Sequence, residues 1–315
     1  MILTRSRRAA RTPRTPSGTP SRTCHSTRCA TIRWRRWRTS SSKPRTKSAG
    51  NDGERQQATA HCRNDTDRGR QARGPCHRGE TVPDQHPILK VCGLTRVADV
   101  RCAEATGASF CGLIVEIERS PRSITREQAV LLARGCRARP VLVVESMPPE
   151  EIAALVEATG AHAVQLHGGD EEYLREVTEA LDRRAFVWRP VGLPEQCEDR
   201  AALVAETLAE IEAALAAGAS AIVLDTRTSS GTGGSGRTCD WEAAAEIVRR
   251  TNAPVLLAGG LDPANVRDAL RVTGAAGADL SSSLEAAPGR KSPARLRELA
   301  AAWARIMPGC EADGL

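Results

Sequence analysis

From residue 86 onward the hydrophobic positions fall into two alternating patterns. Short, unbroken runs rich in Val, Ile, Leu and Ala occupy residues 88–92, 109–115, 140–144, 163–166, 186–190, 221–225, 255–258 and 278–281. Runs of that length and character predict strands buried on both faces. Longer segments between them carry a helical repeat. Ile152, Leu155, Val156 and Thr159 fall at i, i+3, i+4 and i+7, and Leu296, Leu299, Ala300 and Trp303 repeat the spacing near the end. Start signals precede several of these segments. Thr125 with Gln128 reads as a capping box, Asp240 as a helix cap, and Asp262-Pro263 and Ser292-Pro293 as a cap followed by a first-turn proline. Eight strand–helix units in residues 86–310, joined by short loops, predict an α/β chain folded as a (β/α)8 TIM barrel. A doubly wound open sheet is the alternative, and eight such regular units fit it less well.

The first 85 residues carry no such pattern. Residues 1–50 lack Asp and Glu altogether and are rich in Arg, Ser, Thr and Pro. A segment of that kind buries too little apolar surface to offset its ordering entropy and is expected to be disordered. Charge divides at the same boundary. Residues 1–85 hold 20 basic and 6 acidic side chains, and the remainder 25 basic and 32 acidic, so the overall +7 averages two unlike parts. Three readings of the basic segment compete with plain disorder: an organelle transit peptide, a nucleic-acid-binding arm using Trp34 and Trp37, or sequence outside the selected reading frame with the true start near Pro87. The last is favoured by the Arg, Pro, Ser and Thr bias. Nucleic acid is not expected as a partner, because no recognition fold accompanies the charge. Residues 311–315 read as a short tail.

Cysteine use adds little. Cys24, Cys29, Cys62 and Cys76 lack the paired spacing of a zinc site, and no metal is expected. Seven cysteines after residue 85, an odd number, suggest reduced thiols and a cytoplasmic location. There is no apolar run of membrane-spanning length and no apolar stretch at the start resembling a secretory signal, so no membrane association is expected.

The candidate chemistry lies at the carboxyl ends of the expected strands, where barrels of this class place it. Cys92 ends the first strand, ahead of Gly93. It is either a small core residue or a proton acceptor facing the mouth, with Lys90 on the same strand face to favour the thiolate. Asp225 ends the sixth strand and is either a partner for Arg227 or a chemical carboxylate. The Gly- and Ser-rich stretch after it reads as a lid or as a plain connector. Gly259 and Gly260 follow the seventh strand and precede a helix, a pattern that lets backbone N–H groups approach an anion. Ser282 and Ser283 sit in the next loop, and phosphate sites in these barrels commonly use the loops after strands seven and eight. Arg122 is either a solvated arginine at a turn or a clamp for a substrate carboxylate. Gln165 and His167 end the fourth strand and line the mouth outside the catalytic set. A thiol, a carboxylate and a phosphate cradle facing one mouth suggest proton transfers on a small sugar phosphate.

KVCGLT, SPR, VQLHG, LDT…GTGGSGRTCDW, LAGGLDPANV, ADLSS and PGRKSP resemble, in order and in the matching units, the phosphoribosylanthranilate isomerases of tryptophan biosynthesis. The resemblance spans residues 88 to 305. It implies an Amadori rearrangement of N-(5-phosphoribosyl)anthranilate to 1-(2-carboxyphenylamino)-1-deoxyribulose 5-phosphate. It implies Asp225 as the general acid on the ribose ring oxygen and Cys92 as the general base at C2′. It also implies Arg122 at the anthranilate carboxylate, Asp279 near the ribose, and Gly260, Ser282 and Ser283 at the phosphate. Each step is a proton transfer, so no cofactor is implied. Nothing in the motifs bears on oligomeric state. Three departures from the family pattern stand out. Ser283 replaces an expected glycine, which would cost strain if the position needs positive φ. The stretch 113–119 is a residue longer than in many members. Arg227 and Arg237 stand at lid positions where lysine is expected. A barrel that binds phosphate without turnover is the competing reading, motivated by Ser283. A sugar-phosphate isomerase of histidine biosynthesis, which by resemblance uses two aspartates, is a third, and Cys92 argues against it.

Overall fold

A computed structural model of the 315-residue chain describes residues 86–228, 231–232 and 238–306. The expectations for residues 1–85, most of the Gly-rich stretch after Asp225, the side chain of Arg227, Arg237 and the tail lie outside the described residues. Eight parallel strands are present: β1 (Ile88–Val91), β2 (Phe110–Val115), β3 (Arg139–Glu145), β4 (Ala163–His167), β5 (Phe186–Pro194), β6 (Ala221–Thr228), β7 (Val255–Leu257) and β8 (Gly277–Leu280). Each pairs with its sequence neighbour, and β8 pairs with β1, so the sheet closes on itself. The open-sheet alternative is thereby excluded.

Eight helices follow the strands: α1 (Val97–Ala105), α2 (Arg126–Gly135), α3 (Pro149–Thr159), α4 (Glu171–Leu181), α5 (Arg200–Ala216), α6 (Trp241–Arg250), α7 (Val266–Thr273) and α8 (Pro293–Ala304). Side-chain alternation decides what each strand gives to which layer. Leu89, Val91, Leu113, Leu142, Val144, Leu166, Leu224 and Leu257 point outward and form one core with the helices. The intervening positions point into the barrel.

The helix starts obey local chemistry. Thr125 and Gln128 form a reciprocal capping box on α2. Asp240 Oδ1 accepts from the N–H groups of Glu242 and Ala243, and Ser292 caps α8. Two expectations need correction. Asp262 caps a separate turn, accepting from Ala264 and Asn265, and α7 begins only at Val266. On α8 the inward residues are Leu296, Leu299, Ala302 and Trp303, with Ala300 only partly buried. The helix packs against α1 at the barrel's closing seam.

Two small features were not foreseen. Ser123–Ile124 adds a short strand beside β2, and Glu285–Ala287 pairs with Arg290–Lys291 in a hairpin after β8. Both lie at the mouth, where they shape the site.

Candidate active site

The carboxyl ends of the strands surround a cavity of ≈ 610 Å³. Cys92, Asp225, Asp279, Gln165, His167, Arg122, Gly259, Gly260, Ser281 and Ser282 all line it. Residues from β1, β4, β6, β7 and β8 and from the loop after β2 thus meet in one space, although they span most of the folded sequence. Ser283 does not line the cavity. Its Oγ is buried elsewhere, and Ser281 takes its place in the wall.

Cys92 lies just past β1, and its N–H still bonds Leu280 O as the ladder continues. Its thiol occupies room left by Gly112 on β2. A Cβ at Gly112 would sit 2.6 Å from Cys92 Sγ, so that glycine is a steric condition for the thiol's position. Burial pushes the Cys92 thiol above its ordinary pKa, against an opposing pull from the Lys90 ammonium.

Lys90 is wholly buried inside the barrel and faces Asp279, its register partner on β8. Its Nζ donates to Asp279 Oδ2 at 2.5 Å and to Gln165 Oε1 at 2.9 Å. Burial disfavours the ammonium, but Asp279 and Cys92 together outweigh it, and Lys90 holds its proton more tightly than a free lysine. Lys90 favours the Cys92 thiolate, as expected from the sequence, but burial of the thiol outweighs that pull. Asp279 already balances the lysine's charge, and its own charge raises the thiol further. The Gln165 Nε2 amide then lies 3.0 Å from His167 Nε2. With Gln165 Oε1 accepting from Lys90, its amide N–H donates to a neutral His167. Burial, with Lys90 adding, lowers the His167 pKa to about 4, which agrees with that neutral form.

Asp225 lies inside β6, which runs on to Thr228 and pairs with Gly231–Thr232. The strand therefore does not end at the carboxylate as expected. Burial, with the Asp279 charge adding, pushes the Asp225 pKa up to about 6. Asp279 Oδ1 is buried with no hydrogen-bond partner among the described residues, although Oδ2 is held by Lys90. An unused acceptor at a cavity wall is a ready receptor for a ligand hydroxyl.

After β7, the strand between those of Asp225 and Asp279, Gly259 and Gly260 both have positive φ, 78° and 62°. A Cβ at Gly259 would also overlap Thr226 of β6, so no other residue fits there. Ser282–Leu284 forms a single 3-10 turn whose start faces the same space. Ser283 is not among the non-glycine residues with positive φ, which are Glu116, Ser146, Asp182 and Arg183. The strain expected from serine at that position is therefore absent. Glu116, at φ 52°, lies in the long stretch after β2.

Arg122 reaches the cavity across Gly93, where a Cβ would sit 2.6 Å from its Cδ. Its guanidinium is already paired within the protein. Nε and Nη2 donate to Glu285 Oε1 and Oε2, both at 2.8 Å. Glu285 and Lys291, which completes the same cluster, were missed from the sequence. Lys291 sits in the quoted PGRKSP motif, and an ordinarily exposed lysine there gave no sign of complete burial.

Residues 89–302 match the family model described as N-(5′-phosphoribosyl)anthranilate (PRA) isomerase. An N-(5′-phosphoribosyl)anthranilate isomerase of Methanothrix thermoacetophila is 34% identical over 213 residues, 67% of this chain and 94% of that protein. Among solved structures, phosphoribosyl anthranilate isomerase from Thermus thermophilus is 31% identical with a TM-score of 0.57, covering 70% of this chain and 99% of that one. Another phosphoribosyl anthranilate isomerase, solved with reduced 1-(o-carboxyphenylamino)-1-deoxyribulose 5-phosphate, is 27% identical with a TM-score of 0.55 and covers 68% of this chain and 96% of that one.

Proposed function

The chain belongs to the N-(5′-phosphoribosyl)anthranilate isomerase family, and from that premise we propose how its cavity carries out the isomerisation in tryptophan biosynthesis. The substrate is an aminoaldose phosphate and the product a ketose. Asp225 protonates the ribose ring oxygen, and the ring opens to a Schiff base. Cys92 then removes the proton from C2′, and the resulting enolamine becomes the ketone. The observation that carries this assignment is one cavity wall holding a buried thiol and a carboxyl raised to about 6. An acid needs its proton near neutral pH, and a buried carboxyl retains it far better than an exposed one. A bound dianionic phosphate adds negative charge and raises Asp225 further.

Asp279 Oδ1 accepts from a ribose hydroxyl, which supplies the donor that oxygen lacks. Gly259, Gly260 and Ser282 hold the phosphate across the mouth, with Ser283 serving through the backbone of the same turn. Arg122 faces the anthranilate carboxylate. Residues 86–310 form the catalytic unit. The six described cysteines are all free thiols, which supports a cytoplasmic setting.

The test is loss of anthranilate fluorescence with freshly made substrate and the full chain. Turnover is expected to fall by about 10²–10⁴-fold or more in Cys92→Ala and in Asp225→Asn, with circular dichroism unchanged. A variant that keeps the wild-type rate removes the role given to its residue.

A further inference from the structure

We infer that Glu285 and Lys291 are positioning residues for Arg122, holding its guanidinium so that one edge faces the carboxylate on the substrate's aromatic ring. The inference rests on the reaction reading above and asks how this chain distinguishes a carboxylated ring from a plain one.

The geometry is specific. A guanidinium carries five N–H donors in a planar fork. Glu285 occupies the edge formed by Nε and Nη2 with two bonds of 2.8 Å. Among the described residues nothing accepts from Nη1. The second edge, Nη1 with the remaining Nη2 donor, is thus left for a second carboxylate in the same bidentate manner. Arg122 lines the cavity while Glu285 and Lys291 stand behind it. Glu285 is a fixed support, because its side chain is only 5% exposed.

Charge explains the lysine. An Arg122–Glu285 pair alone is neutral and would attract an anion weakly. Lys291 Nζ lies 3.0 Å from Glu285 Oε1 and 2.9 Å from Ser281 O, so the trio carries net +1. Burial lowers the proton affinity of Lys291, and the Glu285 carboxylate opposes that loss. The cluster therefore presents a positive edge although its arginine is already paired.

The support is itself anchored. Thr95 Oγ1 donates to Gly289 O at the hairpin turn, and the Lys291 N–H bonds Asp99 Oδ2 on α1 at 3.1 Å. Asp99 is held in turn by Arg96. Arg122 is thereby fixed before substrate arrives, so less side-chain freedom is lost on binding. Because Lys291 also holds Ser281 of the phosphate wall, one hairpin sets the distance between carboxylate and phosphate subsites.

Calorimetry on the full chain with two probes tests this. One probe is reduced 1-(o-carboxyphenylamino)-1-deoxyribulose 5-phosphate. The other is its counterpart without the ring carboxylate. The wild type is expected to prefer the first by about 10²-fold, as a charge-assisted bidentate contact should. Glu285→Gln keeps the shape but raises the trio's charge to +2; loss of the fixed guanidinium orientation should outweigh that added charge, so the preference should fall about 10-fold while the affinity for the carboxylate-free probe stays within about 2-fold. Lys291→Met should change it in the same direction. An unchanged preference in both variants overturns the inference, and so does an equal loss for both probes, which would mean general loosening of the mouth. If the wild type binds both probes equally, the Arg122 clamp falls while the phosphate reading stands. If it binds neither, the functional reading falls and the inference with it.

Discussion

The two ends of the barrel are built on opposite principles. At the amino-terminal end the interior is filled by rings. Phe110 meets Trp188 edge-on at 5.0 Å, His162 lies 5.5 Å from Phe110 and 5.1 Å from Phe186, and the Arg139 guanidinium sits 5.6 Å over the Phe110 ring. At the carboxyl-terminal end the same interior column holds Lys90, Asp279, Gln165, His167, Cys92 and Asp225. The first end maximises dispersion and aromatic contact. The second leaves a cavity, a half-satisfied Asp279 and a carboxyl shifted to about 6. Both are buried, so burial alone does not separate structural from functional residues. What separates them is what the buried groups face: at one end rings pack on one another, and at the other polar groups line a cavity. The barrel tolerates the mouth because the opposite end and the outer shell supply its stability.

The comparison breaks most visibly at Trp188. Trp188→Ala should cost about 3–5 kcal/mol of stability, the usual range for a buried aromatic truncated to alanine. Urea unfolding would measure it. Turnover per folded molecule should stay close to wild type at low temperature, because the ring lies at the end of the barrel away from the chemistry. A large drop in kcat without loss of stability would mean that the two ends are not independent.

A smaller effect of opposite sign is expected at the mouth. The folded-state pKa of Asp225 is about 6 against an ordinary 3.8. Its contribution to stability is therefore fully present below about 3.8 and is lost as pH rises through about 6. At pH 7.5 the ionised carboxylate should cost on the order of 2–3 kcal/mol. Asp225→Asn should recover most of that while abolishing turnover, and the advantage should vanish near pH 4. Denaturant melts at the two pH values check it. A destabilised Asp225→Asn at pH 7.5 would show that the carboxylate is held by contacts that outweigh its burial.

The contrast between the ends also explains which parts were legible from the residues. The strands were legible because both faces are buried, which leaves unbroken runs such as AIVLD and PVLVVE with little else to mean. Caps such as Thr125 and Asp240 were legible because their partners lie within three residues. Cys92 and Asp225 stood out as polar ends of apolar runs. Whatever depends on closure was hidden. Lys90 and Asp279 are 189 residues apart, and Arg122 and Glu285 are 163 apart. No local pattern shows that a lysine is neutralised or an arginine already engaged. The aromatic plug was hidden for the same reason, since Phe110 opens β2, His162 precedes β4 and Trp188 lies inside β5. Lys90 shows the division: its proximity to Cys92 along one strand was visible, while the Asp279 counter-charge on the neighbouring strand was not.

The finest test sets one titrating group from each end against the other. His162, among the rings, is pushed down to about 4, by burial first and by Arg139 second. Its folded pKa lies below its ordinary 6.5, so the unfolded chain binds the extra proton between those values. Stability from His162 is therefore full above pH 6.5 and is lost as pH falls through 4. Asp225 acts in the reverse sense over much of the same window, and His167 at the mouth, also near 4, acts in the same sense as His162. Differences from wild type isolate each group whatever else titrates. His162→Phe keeps a ring in the cluster and removes the proton site. Relative to wild type it should gain stability as pH falls from 6.5 to 4, at up to about 1.4 kcal/mol per pH unit. Because His162 is only half-buried, the total gain should be about 1–2 kcal/mol. Asp225→Asn should show the opposite trend, losing its advantage over the same interval. Unfolding curves at half-unit steps of pH would give two difference lines that slope in opposite directions. A flat line for either variant would mean that its group is not shifted by burial, and that end's account of its buried titrating group would fail.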